Sequence, residues 1–181
     1  MGVLGSVMPK FKVDPYAKKY IKKLEELGAN TYKMCGRAIF PCAEIIANEI
    51  EKEIQKLPTA INEHGSSTNM INTITPIQKY GLMHGMGISH MQLKSGGTLD
   101  VKTGYHGYNK MVTDRYRRGQ PNVMIARSVL HGTSFRRKND YEGRAIRRVR
   151  KEALESMQEE INKETEKIMK QQLKDMRTLF L

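Results

Sequence analysis

Apolar residues recur at helical spacing over most of the chain and alternate over one short stretch near its middle. From Asp14 onward, Tyr16, Tyr20, Leu24 and Leu27 fall on one helical face. Asp14 is placed to cap this helix, Pro15 suits its first turn, and Gly28 is a stop signal. A longer pattern from Thr31 to Leu57 runs through Ala38, Ile39, Cys42, Ile45, Ile46, Ile50 and Ile54. Pro41 lies inside it and predicts a kink or restart near Phe40, because a helical proline loses a hydrogen bond and crowds the preceding turn. Pro58 ends it. Residues 59–74 are polar and loop-like, and a short helix follows, capped by Thr75, opened by Pro76 and closed by Gly81 or Gly85.

The period then shifts to two. "ISHMQLK" and "TLDVKTGY" alternate on either side of "SGG", which predicts a β-hairpin over about 88–104 with one buried face. A lone hairpin is marginal, so the helix from Thr31 is expected to cover it. Residues 104–120 form a basic, Tyr-rich connection. Pro121 and Gly132 then bracket a stretch that suits a short helix buried through Val123, Ala126, Val129 and Leu130, with a strand as the competing reading. From Asn139 to about Met176, Ile146, Val149, Ala153, Met157, Ile161, Ile168 and Met169 mark a long helix. Asn139 with Glu142 resembles a capping box, weakened by Gly143. Glu159–Lys163 and Glu166–Lys170 are supporting i,i+4 pairs, and the apolar end "RTLFL" is expected to dock.

The order of elements predicts an α+β fold: a small antiparallel sheet packed against a long kinked N-terminal helix and a long C-terminal helix. The 181 residues suit a single domain. Its expected parts are a flexible arm over 1–13, helices over 14–57, loop and short helix over 58–87, hairpin and basic connection over 88–120, and two helices over 121–181.

Charge changes this picture more than composition does. The net charge is +12, compatible with nucleic acid, an acidic protein face or an anionic surface. Half of the excess lies between Arg136 and Lys151, where Arg136, Arg137, Lys138, Arg144, Arg147, Arg148, Arg150 and Lys151 face only Asp140 and Glu142. Cations at a helix start oppose its dipole, by about 0.3–1 kcal/mol each, so an anionic partner is expected to meet them. An Arg148–Glu152 pair relieves part of the excess, and reversing Arg144, Arg147 and Arg148 is expected to impair assembly more than folding. Tyr105, Tyr108 and Tyr116, interleaved with Lys110, Arg115, Arg117 and Arg118, suit a stacking surface or a protein interface. The twelve methionines suit packing against other subunits.

Other chemistry finds little footing. Cys35 and Cys42 read as reduced core residues, and neither they nor the five histidines show metal-ligand spacing. His131 and Ser134 are close in sequence but lack a nucleophile elbow. "GMGISH" precedes a strand, the wrong order for a dinucleotide site. No apolar run approaches 18 residues. "MGVLGSVMPKF" matches the myristoylation pattern at Gly2 and Ser6, with a frayed N-terminus as the plainer reading. No enzyme activity, cofactor, metal or membrane partner is therefore expected.

"GQPNVMIARSVLHGTSFRRK", with "TPIQKYGLMHGMGIS" and "VKTGYHGYN", resembles the neck or tail-completion proteins of tailed bacteriophages, also described as head–tail joining or minor tail components. The likeness covers roughly residues 14–170 and centres on the turn Gly132-Thr133-Ser134. The chain departs from the family in having His131 where an acidic residue is usual, and "NDYEG" where a Pro-Phe pair commonly enters the last helix. The resemblance implies a structural virion protein made in the bacterial host cytoplasm. It would form a homo-oligomeric ring, a hexamer, between the head connector and the tail terminator or tail tube, with non-specific contact to packaged DNA as an option. The alternative is a basic DNA- or RNA-binding accessory protein, with the cations from Arg136 to Arg150 as the contact in either case.

Overall fold

A computed structural model of the chain describes residues 15–61, 64–94 and 99–179; side chains are described from residue 31 onward, apart from 93, 172, 173 and 175–179. Two long antiparallel helices, α1 (Pro15–Gln55) and α4 (Tyr141–Leu179), form a stem, each about 60 Å long at 1.5 Å per residue. The expected break at Gly28 and restart at Pro41 are absent: α1 runs through both. An interior glycine costs about 1 kcal/mol and a proline about 3 kcal/mol. Packing along α4 offsets these local penalties. The buried positions are Ala38, Ala43, Ala47, Ile50 and Ile54 on α1 and Tyr141, Ala145, Val149 and Ala153 on α4.

The buried stripe of α4 is Tyr141, Ala145, Val149 and Ala153. The sequence periodicity joins it to a second stripe. Ile146 and Met169 are exposed, while Met157, Ile161 and Ile168 are half-buried beside the core rather than within it. The start of α4 also differs from expectation. Asp140, not Asn139, is the cap, its Oδ1 accepting from Gly143 N–H at 3.1 Å. Asn139 Oδ1 instead accepts from Arg144 at 2.9 Å. Lys163 pairs with Glu160 at 3.0 Å rather than with Glu159, and the Lys170–Glu166 pair is present at 3.6 Å.

At one end of the stem, α2 (Pro76–Gly85) and α3 (Asn122–His131) close the core around Ile54, Leu57, Ile74, Leu82, Ile125 and Tyr141. Thr75 caps α2 in a reciprocal box with Gln78, and Gly85 ends it while Gly81 lies inside. A Cβ on Gly81 would lie 2.5 Å from Asn122 Oδ1, which explains the glycine: α3 packs directly on α2 there. The 121–131 stretch is a helix, as the Pro–Gly bracketing predicts, but Asn122 and Ile125 face inward and Val123 outward. Asn122 is held by donating to the His106 carbonyl at 2.8 Å.

The hairpin is present as two short ladders. β1 (Met86–Ile88) pairs with β4 (Thr103–Tyr105), and β2 (Gln92–Leu93) with β3 (Leu99–Asp100), both antiparallel. Between them Ser89 Oγ accepts from the Lys102 N–H at 2.9 Å, so a side chain stands in for a ladder carbonyl and the register slips by one residue. Met91 lies against α1, its methyl 2.9 Å from where a Gly36 Cβ would be. The expected "SGG" turn, the arm over 1–13 with its acylation pattern, and the docking of "RTLFL" fall outside the described residues or side chains.

Candidate partner-binding surface

The turn through Gly132-Thr133-Ser134 is a brace between α3 and α4. Gly132 has φ +77°, a left-handed conformation that favours glycine. Thr133 and Arg136 exchange backbone hydrogen bonds, and Asn139 N–H returns to the Val129 carbonyl at 2.8 Å. The loop from 65 to 74 staples this turn from outside: Ile71 N–H donates to Phe135 O at 3.0 Å, and Arg137 N–H to Ile71 O at 2.8 Å. His131 and Ser134 are both exposed, and no hydrogen bond joins them among the described residues.

The eight cations do not share a surface. Arg136 is only 7% exposed, and its guanidinium donates to the Thr73 carbonyl. It fixes the loop rather than facing a partner. Arg144 and Arg148 reach across to α1. Arg144 Nε meets Glu53 at 3.1 Å, and Arg148 bridges Glu49 and Glu53, the latter at 2.9 Å. Lys52 and Lys56 complete the cluster from α1, at 3.1 and 2.6 Å. The expected Arg148–Glu152 pair gives way to these contacts, because Glu49 and Glu53 are buried and need cations more than an exposed glutamate does. Hydrogen bonds from Lys56, Arg148 and Arg144 outweigh desolvation and hold the Glu53 carboxyl down to about 2. Arg148 and Lys52 lower Glu49 in the same way.

Arg147 makes an exposed pair with Asp140 at 3.4 Å, and Lys151 one with Glu155 at 3.7 Å. Arg137, Lys138 and Arg150 are exposed, with no ion pair among the described residues. The stacking surface is likewise divided. Tyr105 turns inward, its hydroxyl 2.7 Å from that of buried Tyr141, and burial pushes both phenols up. Burial also raises the neighbouring Glu142 carboxyl, opposed by a hydrogen bond from Tyr105. Tyr116 is half-buried under the Arg115 guanidinium, 5.6 Å from the ring centroid, and Tyr108 is 67% exposed.

A feature without a simple sequence pattern lies beside the braced turn. A groove of about 940 Å³ opens between the 60–78 segment, the 111–120 loop and one side of α3. Ile61, Ile77, Met124 and Phe135 line it while remaining substantially exposed, Ile61 at 75%. Arg115, Arg136 and His64 are its charged or titratable lining, and no carboxylate joins them among the described residues. Its residues come from four separate stretches, so periodicity within one element could not reveal it.

Among the described residues no three His, Cys, Asp or Glu side chains converge to hold a metal ion, and no helix is long and apolar enough to cross a membrane. Cys35 and Cys42 are free and partly buried on α1, and burial raises the Cys42 thiol. Comparison with protein-family models, with curated proteins and with solved structures finds no match for this chain.

Proposed function

We propose that this chain is a structural subunit of a tailed phage or phage-tail-like particle, forming a ring, a hexamer, at the neck between head connector and tail. It works by assembly, not catalysis. The observation that supports this reading is the presence of apolar surface in two separate places. One is the groove beside the Gly132 turn; the other is the stem, where Phe40 on α1 and Ile146, Leu154 and Met169 on α4 are exposed. Closed rings use heterologous contacts, in which a different patch of the subunit meets each neighbour. The stem is stiffened by the Glu49/Glu53–Arg144/Arg148 clamp, which suits a part that must hold shape under load. The sequence likeness to neck proteins supports the location.

The test is co-expression with head-connector and tail-tube proteins of the same genome, followed by electron microscopy. Rings at the head–tail junction are the expected result; a chain that stays monomeric with those partners and is missing from particles would sink the proposal. A second reading, non-specific DNA or RNA binding, draws on exposed Arg137, Lys138 and Arg150. It predicts affinity for duplex of any sequence that falls steeply as salt rises.

A further inference from the structure

Within a strongly basic chain, residues 152–162, "EALESMQEEIN", carry four glutamates and no lysine or arginine. They form the middle of α4. Leu154, Met157 and Ile161 fall at i, i+3 and i+7, the anchor spacing of a helix that lies in an apolar groove. Leu154 is 48% exposed, and Met157 and Ile161 are half-buried at the edge of the stem. Glu152, Glu155 and Glu159 are exposed beside them. Among the described residues Glu155 meets Lys151, in a loose exposed pair at 3.7 Å.

The groove has the opposite character. Its lining is apolar, it contains Arg115 and, among the described residues, no carboxylate, and exposed Arg127 lies one helical turn from Met124 on α3. We infer that the acidic, Leu154-bearing segment of α4 docks in this groove on a second copy of the chain. The segment cannot reach its own groove, because α4 is one continuous helix fixed along α1 while the groove lies at the α2–α3 end. The contact is therefore between molecules. It joins two different surfaces, so it propagates from copy to copy until a ring closes. Charge complementarity at the rim sets the register, and the apolar anchors supply the buried area.

This inference rests on the ring reading and gives it a specific contact. Sedimentation velocity on four samples tests it: the wild-type chain, Glu155→Arg/Glu159→Arg, Arg115→Glu/Arg127→Glu, and an equimolar mixture of the two variants. All four substituted side chains are exposed, so circular dichroism should show both variants folded. The wild type is expected to self-associate at low salt and to weaken as salt rises. Each variant alone should associate at least about tenfold more weakly, because like charges then face each other. The mixture should recover association, since each segment meets a groove of opposite sign. Self-association that neither variant weakens overturns the docking and leaves the ring reading intact. Recovery in the mixture with only open chains, never closed rings, supports the docking and overturns the ring. A folded wild-type chain that stays monomeric at low salt and high concentration overturns the docking.

Discussion

Among the described residues of the stem, Glu53 is the carboxylate that gathers the most cations. It is 3% exposed and is met by Arg144, Arg148 and Lys56. Removing Arg148 leaves two buried carboxylates with one cation fewer each, so Arg148→Ala is expected to lower the midpoint of denaturant unfolding measurably. Arg137→Glu with Lys138→Glu should leave stability within about 0.5 kcal/mol, since both are exposed and unpaired by salt bridges among the described residues. The expectation that reversing Arg144, Arg147 and Arg148 impairs assembly more than folding suits Arg147 but not Arg144 and Arg148, which the clamp makes part of the fold. Charge run alone could not separate clamp from free surface, because the glutamates lie about ninety residues earlier in the chain. The same clamp gives a pH dependence of known sign. Glu53 is held at about 2, below its ordinary 4.5. Its contribution is complete above about 4.5 and is lost as pH falls towards 2. Thermal unfolding followed from pH 6 to 2 should therefore fall more steeply for the wild type than for Glu53→Gln.

At the scale of elements, capping and turn chemistry was legible and tertiary override was not. Thr75, Pro76 and Gln78 mark the start of α2 in sequence and in structure alike. Thr75→Ala should cost about 1 kcal/mol, read from the unfolding midpoint. Gly132 combines a left-handed φ with backbone atoms of Arg136 and Lys138 at 3.1 Å from a would-be Cβ. Gly132→Ala should therefore destabilise by about 1 kcal/mol or more and disturb the brace that lines the groove. The reading of α1 as two helices failed for a different reason. Gly28 and Pro41 are local signals, and a long partner helix outweighs them once the two pack.

For the whole molecule, the α+β reading holds: a small antiparallel sheet lies on α1, and α1 and α4 pack together as two long helices. What the elements build between them was out of reach. The groove draws on residues from Ala60 to Arg136, and the second stripe of α4 becomes visible as separate only when α1 covers the first. If groove and stripe are the two sides of a ring contact, Leu154→Asp should abolish self-association while leaving the thermal midpoint within a few degrees. Sedimentation and calorimetry on one sample would check both halves of that statement.

The sequence by itself determined the long C-terminal helix, the short capped helix, the alternating hairpin, the glycine turn and the excess of positive charge. Each of these is written in neighbouring residues, through periodicity, capping or a left-handed position. Only the tertiary structure decided which cations face inward. Arg136 turned to a loop carbonyl, Arg144 and Arg148 to glutamates on α1, and Arg137, Lys138 and Arg150 to solvent. The physical reason is that a charge settles where its unpaired alternative would cost most, and that cost depends on what the rest of the chain has buried beside it.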